Sequence, residues 1–354
     1  MIALNSKVFK VAIATTRNKL AETVYLKTGV DFTKPVQIYG TVNRRCNSRC
    51  RMCTCWRMED DELPASVWIR ALQSLKKFVG TFNINFSGGE PLLKSDLFEI
   101  LEFCSKENIM AGITTNGILL NKEKVKRIID CRLFNVNISI DSMEDRIHDG
   151  IRGVPGMLAR VKGNIDYLNE CKKKAGTDLK IIVKPIVCAE NLHSLDKIVE
   201  YAKKMDITGV NFQPIFKWSD ESKEMLNVDF ESLNTMIEKL IKMKQGGYPI
   251  INSEAAIRQW TDHFKGIIPQ RNSPCVVSLR NITIFSNGDI VPCGFEGSRI
   301  GNIQNDADIK TVWYSEKAKK LRKSLVGCKR LCTATCVVKR NWRDYFTLFA
   351  RFVR

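Results

Sequence analysis

No apolar run in this chain reaches the roughly 18 residues that a membrane-spanning helix needs, so no span is expected. The N-terminus, Met1-Ile2-Ala3-Leu4-Asn5-Ser6-Lys7, lacks the long apolar core and small-residue cleavage site of a signal peptide, and the chain reads as cytoplasmic. Histidine is scarce: His148, His193 and His263 are the only three in 354 residues. Internal repeats and low-complexity tracts are also missing. With 44% hydrophobic and 27% charged residues, disorder as the dominant state is excluded. The length allows two domains around a sizeable core.

Two excesses stand against these absences. The first is charge: 56 basic and 38 acidic residues give +18, and residues 1–30 and 337–354 together supply +8 of it. Charge gathered at the ends points to docking on an anionic surface more than to a basic groove through the fold, ordinary solubility charge being the plain alternative. The second is cysteine, 13 in all. In a reducing compartment clustered thiols point to metal or catalysis rather than disulfides. Cys46, Cys50 and Cys53 form one group with Cys55 close behind. Cys275, Cys293, Cys328, Cys332 and Cys336 form another. Cys104, Cys131, Cys171 and Cys188 are scattered in apolar or helical stretches and read as core fillers.

Residues 1–35 read as a basic amphipathic leader with Lys7, Lys10, Arg17 and Lys19 on the polar side. From Val36 onward, strands are expected at 36–42, 81–86, 110–115, 134–140, 179–187 and 208–214. Helical stretches at 64–79, 94–107, 121–130, 156–174, 191–204 and 229–245 lie between and after them. This alternation predicts an α/β fold with a parallel sheet over 36–247. A partial (β/α)6 barrel fits the length, since an eight-fold barrel takes about 250 residues. Gln245-Gly246-Gly247-Tyr248-Pro249 breaks the pattern, so 248–274 is read as a linker. A hairpin is expected over Ile282–Pro292, turning at Asn287-Gly288-Asp289 inside a cysteine-rich extension of 275–336.

The string Cys46-Asn-Ser-Arg-Cys50-Arg-Met-Cys53 is a C-x3-C-x2-C loop directly after a strand. Three thiolates so spaced can hold three irons of a cubane cluster and leave the fourth open for chemistry. Zinc is the alternative, and no histidine lies nearby to complete it. The loop resembles the signature of radical S-adenosylmethionine (SAM) enzymes. That resemblance implies a [4Fe–4S] cluster on Cys46, Cys50 and Cys53 whose unique iron chelates SAM. One-electron reduction then yields methionine and a 5′-deoxyadenosyl radical. Met52 stands where the family usually has an aromatic residue and would still pack on adenine.

Other strings fall in the family's order. Ser87-Gly88-Gly89-Glu90-Pro91 follows the triplet by about 35 residues and resembles the GGE motif, with Glu90 on the SAM ammonium and the glycines allowing close backbone approach. Thr115 and Asn116 end the third strand, and Ser139 and Asp141 the fourth, the latter two within reach of ribose or carboxylate. Arg152 occupies the place of a SAM-carboxylate contact. Asn191 and Gln213 are further candidates. Each has an alternative as a cap or turn former; their shared place at C-terminal strand ends favours function.

The second group reads Cys275-x12-Gly288-x4-Cys293, then Cys328-x3-Cys332-x3-Cys336 after 34 residues. It resembles the SPASM or Twitch extension of the same family, which houses auxiliary iron–sulfur clusters. Five cysteines allow one such cluster, a Twitch-like arrangement on Cys275, Cys293, Cys328 and Cys332 with Cys336 as alternate. A structural zinc site on four of them is the alternative.

At the C-terminus, Trp342, Tyr345, Phe346, Phe349 and Phe352 share one helical face and Arg343, Arg351 and Arg354 another. A helix over 337–354 could lie on a membrane surface or pack back on the barrel. The chain is therefore expected to abstract hydrogen from an unactivated C–H bond of a small or lipid- or glycan-linked substrate, with a peptide-modifying SPASM maturase as the alternative. A zinc protein that binds nucleic acid is a distant third, since the basic residues lack a groove-like pattern. The implied partners are a flavodoxin- or ferredoxin-like reductant and a peripheral membrane surface.

Overall fold

The computed structural model describes residues 6–59, 61–217, 220–267, 273–294, 297–306, 308–330 and 332. They fall into two compact units. One is drawn from 1–45, 59–113 and 270–330, the other from 46–58, 114–269 and 331–354.

The first unit opens with helix α1 (Ser6–Thr28). Its inward face is polar, against the amphipathic expectation. Asn18 donates to the Leu279 carbonyl and accepts from the Lys34 N–H, while Glu22 pairs with Arg280. Asn18 and Glu22 are buried, whereas Leu20 and Val24 are exposed. The buried charge of Arg280 needs a carboxylate, and that need decides which side turns inward. Strand β1 (Gln37–Thr41), helix α2 (Ala65–Val79), strand β2 (Asn83–Ser87), helix α3 (Leu97–Lys106) and strand β3 (Met110–Thr115) follow. β1 pairs in parallel with β2, Ile38 opposite Ile84, and β2 pairs in parallel with β3. α2 buries Trp68, Ala71, Leu72 and Leu75 at helical spacing, and Trp68 meets Phe86 edge to face at 6.0 Å. It ends at Gly80, whose φ of +88° suits glycine.

The second unit holds helix α4 (Lys122–Asp130), strand β4 (Asn135–Ile138), helices α5 (Asp145–Arg152) and α6 (Met157–Ala175), strands β5 (Lys180–Val183) and β6 (Ile186–Val187), and helix α7 (Leu195–Lys204). Strands β7 (Gly209–Val210) and β8 (Gln213–Pro214) and helices α8 (Asp220–Glu224), α9 (Phe230–Gln245), α10 (Glu254–Arg258) and α11 (Trp260–Phe264) complete it. Its parallel strands run in the order β4-β5-β7, with β6 and β8 as a separate pair. The strand expected over 179–187 breaks at Pro185, which has no N–H to give. The one expected over 208–214 breaks because Asn252 takes both main-chain groups of Phe212, at 2.7 and 2.9 Å. α5 lies where no helix was expected.

The chain then returns to the first unit. Strands β9 (Asn281–Ile284), β10 (Asp289–Val291) and β11 (Gly301–Asn302) precede helices α12 (Ile309–Trp313) and α13 (Glu316–Val326). The expected hairpin forms as β9 and β10, with Gly288 at φ +86°. Its first strand pairs in parallel with β1, Ile38 opposite Ile282, so this unit's strand order is β11-β10-β9-β1-β2-β3. Among the described residues no helix is long and apolar enough to cross a membrane. Cys336 and the helix expected over 337–354 lie outside the described residues.

Candidate active site

The cysteine loop belongs to the second unit and is laced to the end of α5. The Arg49 N–H donates to the Arg152 carbonyl and the Arg51 N–H to the Ile151 carbonyl, each at 3.1 Å. Gly153 makes this approach feasible: at φ +66° it caps α5, and a Cβ there would stand 2.5 Å from the Arg49 carbonyl oxygen. Each of the three sulfurs has an N–H donor near it. Cys46 Sγ accepts from the Ser48 N–H at 3.4 Å and lies 3.9 Å from Asn116 Nδ2. Cys53 Sγ accepts from the Cys55 N–H at 3.4 Å. Cys50 Sγ lies 3.9 Å from Arg152 Nη1. Thiolates on an iron–sulfur cluster are stabilised by such donors, so these residues fit the group that their spacing implies. Burial raises the Cys50 thiol above its usual value, with the Arg152 guanidinium acting against it.

Asp141 and Arg152 were expected to face SAM. In the structure Arg152 Nε and Nη2 donate to Asp141 Oδ2 and Oδ1 at 2.5 and 2.8 Å. Asp141 is fully buried and its Oδ1 also accepts the Ile186 N–H at 2.9 Å. Burial alone would lower the Arg152 pKa, but the carboxylate outweighs it and the pKa rises above its ordinary value. Asn191 has a scaffold role, its amide donating to the Asp141 and Ile186 carbonyls at 2.7 and 2.8 Å. Asn116, also buried, donates to Asn47 Oδ1 at 2.6 Å and Ser48 Oγ at 3.2 Å, holding the cysteine loop. Thr115 accepts the Gly117 N–H and shapes the turn beneath. Met52 is buried, while Ser139 and Gln213 are half-buried. Gln213 Nε2 donates to the Pro214 carbonyl at 3.2 Å.

Behind Asp141 stands a residue the sequence analysis missed. His148 is fully buried, and its Nδ1 accepts the Asp141 N–H at 3.1 Å. Four residues before Arg152 on α5, it shares that helix face, a signal visible once the helix is known. Burial lowers its pKa to about 4. The unfolded chain binds a proton near the ordinary value of about 6.5, so stability is full above that pH and falls as pH drops toward 4. His148→Gln is expected to remove much of this acid sensitivity, a difference of about 2–3 kcal/mol between pH 7 and pH 4.5. Urea unfolding of both proteins at the two pH values measures it; parallel losses would contradict it.

In the first unit, the glycines of Gly88-Gly89-Glu90 permit an approach of the chain to itself. The Gly89 and Glu90 N–H groups donate to the Asn43 and Arg45 carbonyls at 3.0 and 2.7 Å. A Cβ on Gly88 or Gly89 would overlap Asn43 or Arg45, respectively. Glu90 is fully buried, and its Oε1 accepts the Leu92 N–H at 3.1 Å. The same unit holds Cys275, Cys293 and Cys328. Cys275 is buried, and its N–H and that of Cys328 donate to the Val326 and Leu325 carbonyls at the end of α13. Cys293 follows β10 and is half-buried; Cys332 is half-buried in the second unit. Among the described residues no three His, Cys, Asp or Glu side chains could share one metal ion. A cubane binds each cysteine at a different iron and does not ask for that convergence. Of the scattered cysteines, Cys104, Cys131 and Cys188 are buried, with burial pushing the Cys188 thiol up to about 12.

The radical SAM superfamily model matches residues 41–202, and the SPASM iron–sulfur cluster-binding domain matches 275–337. A PqqA peptide cyclase of Methylocella silvestris is 31% identical over 302 residues, 82% of this chain and 76% of the cyclase. The chain belongs to the radical SAM superfamily. Radical SAM enzymes with the SPASM extension use SAM, a [4Fe–4S] cluster and further iron–sulfur centres, and this chain is such an enzyme. An AdoMet-dependent heme synthase of Methanosarcina barkeri is 26% identical over 67% of this chain and 69% of the synthase. In fold, Streptococcus suis SuiB bound to its precursor peptide SuiA superposes with a TM-score of 0.67 at 18% identity, covering 94% of this chain and 77% of SuiB. The expected α/β partial-barrel class with a cysteine-rich extension is thus the fold of this radical SAM enzyme.

Proposed function

We propose that this radical SAM enzyme modifies a peptide, removing hydrogen from a C–H bond of a ribosomally made substrate. The observation that carries this reading is the likeness to the PqqA peptide cyclase across both the barrel and the SPASM extension. The small or lipid-linked substrate expected first rested on the basic amphipathic ends alone. When bound, the cluster and SAM supply a 5′-deoxyadenosyl radical. Cys46, Cys50 and Cys53 hold that cluster, and Arg152, fixed by Asp141, sets positive charge beside Cys50. Asn116 and Ser48 keep the loop in shape. Met52 would pack on the adenine of SAM, and Glu90, Ser139 and Gln213 would supply its polar contacts. Cys275, Cys293, Cys328 and Cys332, with Cys336 as alternate, hold the auxiliary cluster.

Deuterated ribosomally made peptides are the direct test. Deuterium is expected in the 5′-deoxyadenosine released from one of them, with that peptide losing hydrogen by mass spectrometry. Label transferred only from a small molecule such as Fe-coproporphyrin III would overturn the peptide reading and leave the superfamily assignment intact.

A further inference from the structure

Within the first unit, the chain just after α1 is tied to α12 and α13. The Thr33 carbonyl accepts from Trp313 Nε1 at 2.8 Å, across 280 positions, and from the Tyr314 hydroxyl at 2.9 Å. Beside them Arg322 of α13 is fully buried. Its Nη2 lies 2.9 Å from Asp31 Oδ2 and donates to the Trp313 carbonyl at 2.5 Å. The guanidinium carbon stands 4.8 Å from the Trp313 ring centroid. Asp31 is fixed in turn, its Oδ1 accepting from the Thr33 N–H and hydroxyl at 3.0 and 2.6 Å. Among the described residues Arg322 Nε and Nη1 have no hydrogen-bond partner, so Asp31 and the Trp313 carbonyl hold this cation between them. An apolar side chain would fill the space at lower cost, whereas a buried charge pair fixes where the helix sits.

What α13 carries at its end gives that placement a purpose. The Val326 carbonyl accepts from the Cys275 N–H at 3.1 Å, and the Leu325 carbonyl from the Cys328 N–H at 3.0 Å. Leu325 and Val326 lie three and four residues after Arg322, one helical turn away. Both contacts use the cysteines' main chain rather than their sulfurs. A slide or rotation of α13 would therefore carry two cysteines of the extension with it. A second tie lies on the other side of Cys275, where Glu22 of α1 pairs with Arg280 and Asn18 donates to the Leu279 carbonyl.

We propose that Arg322, held by Asp31 and the Trp313 carbonyl, is a positioning residue for the auxiliary iron–sulfur cluster. It sets the end of α13 where Cys275 and Cys328 can ligate together, acting through the helix and not on the cluster itself. The inference rests on the assignment of these two cysteines to that cluster and is independent of the peptide substrate.

The test follows release of iron to a chelator from the reconstituted holoenzyme, alongside SAM cleavage under dithionite. Arg322→Gln removes the tie without stranding a charge, and Asp31→Asn leaves the cation unpaired. In both, about four of about eight irons are expected to reach the chelator about tenfold faster than in the parent enzyme, because opening at the end of α13 exposes the auxiliary cluster. The remaining irons should leave at the parent rate and SAM cleavage should persist, since Cys46, Cys50 and Cys53 lie in the second unit. The electron paramagnetic resonance signal of the reduced auxiliary cluster should shift in both variants, while that of the SAM-binding cluster stays. All irons leaving faster together, as a general loss of stability would give, would overturn the positioning role. So would release and spectra unchanged in both variants. A parent enzyme that holds only about four irons and still cleaves SAM would strike the auxiliary-cluster assignment, and the inference with it.

Discussion

Cys50→Ala is expected to bring reductive cleavage of SAM down to the reagent blank and to lower the iron content. Three thiolates are the minimum that leaves one iron open, and a pair cannot hold the cluster in that geometry. Cys50 is the most enclosed of the three, with Arg152 Nη1 beside its sulfur and Trp56 on its carbonyl. Cys55→Ala is the matching control. What Cys55 gives Cys53 is its main-chain N–H, which alanine retains. Chromatography of 5′-deoxyadenosine should therefore show an inactive Cys50 variant and an active Cys55 variant. The reverse pattern would move the cluster to a different trio.

Asp141→Ala carries the second large effect, this time on stability. The Asp141–Arg152 pair is buried, and removing one member leaves an uncompensated cation, a cost of about 3–5 kcal/mol. The loss extends beyond the pair, because the same carboxylate accepts the Ile186 N–H at the start of β6. The double variant Asp141→Ala/Arg152→Met should recover part of that loss, since no buried charge is then stranded. Urea unfolding midpoints of the single and double variants measure both. A single variant as stable as the parent, or a double variant less stable than the single, would contradict a buried, charge-paired Arg152.

The residues of this site were legible earlier than their roles. Cys46, Cys50 and Cys53 declare themselves by spacing, because cluster ligation depends on a short local loop. Asp141 and Arg152 were visible as polar residues near strand ends, but their partners depend on α5. That helix offers only Ile147 and Ile151, a single i,i+4 pair over eight residues, too short a pattern to announce it. The string Gly88-Gly89 says that something approaches closely. Only the fold shows that the neighbour is the chain at Asn43 and Arg45. Long-range pairings are silent for the same reason. Glu22 meets Arg280 across 258 positions, and β1 meets β9 only once the chain has returned from the second unit. The alternation of strands and helices from Val36 onward was legible, because apolar strands and amphipathic helices are local information.

The account turns on what the two cysteine groups bind, and anaerobic iron and acid-labile sulfide analysis, coupled to 5′-deoxyadenosine formation under dithionite, addresses that directly. Two cubane clusters predict about eight irons and eight sulfides per chain together with SAM cleavage. Colourless protein holding zinc and no iron after anaerobic reconstitution, with SAM left intact, would contradict it.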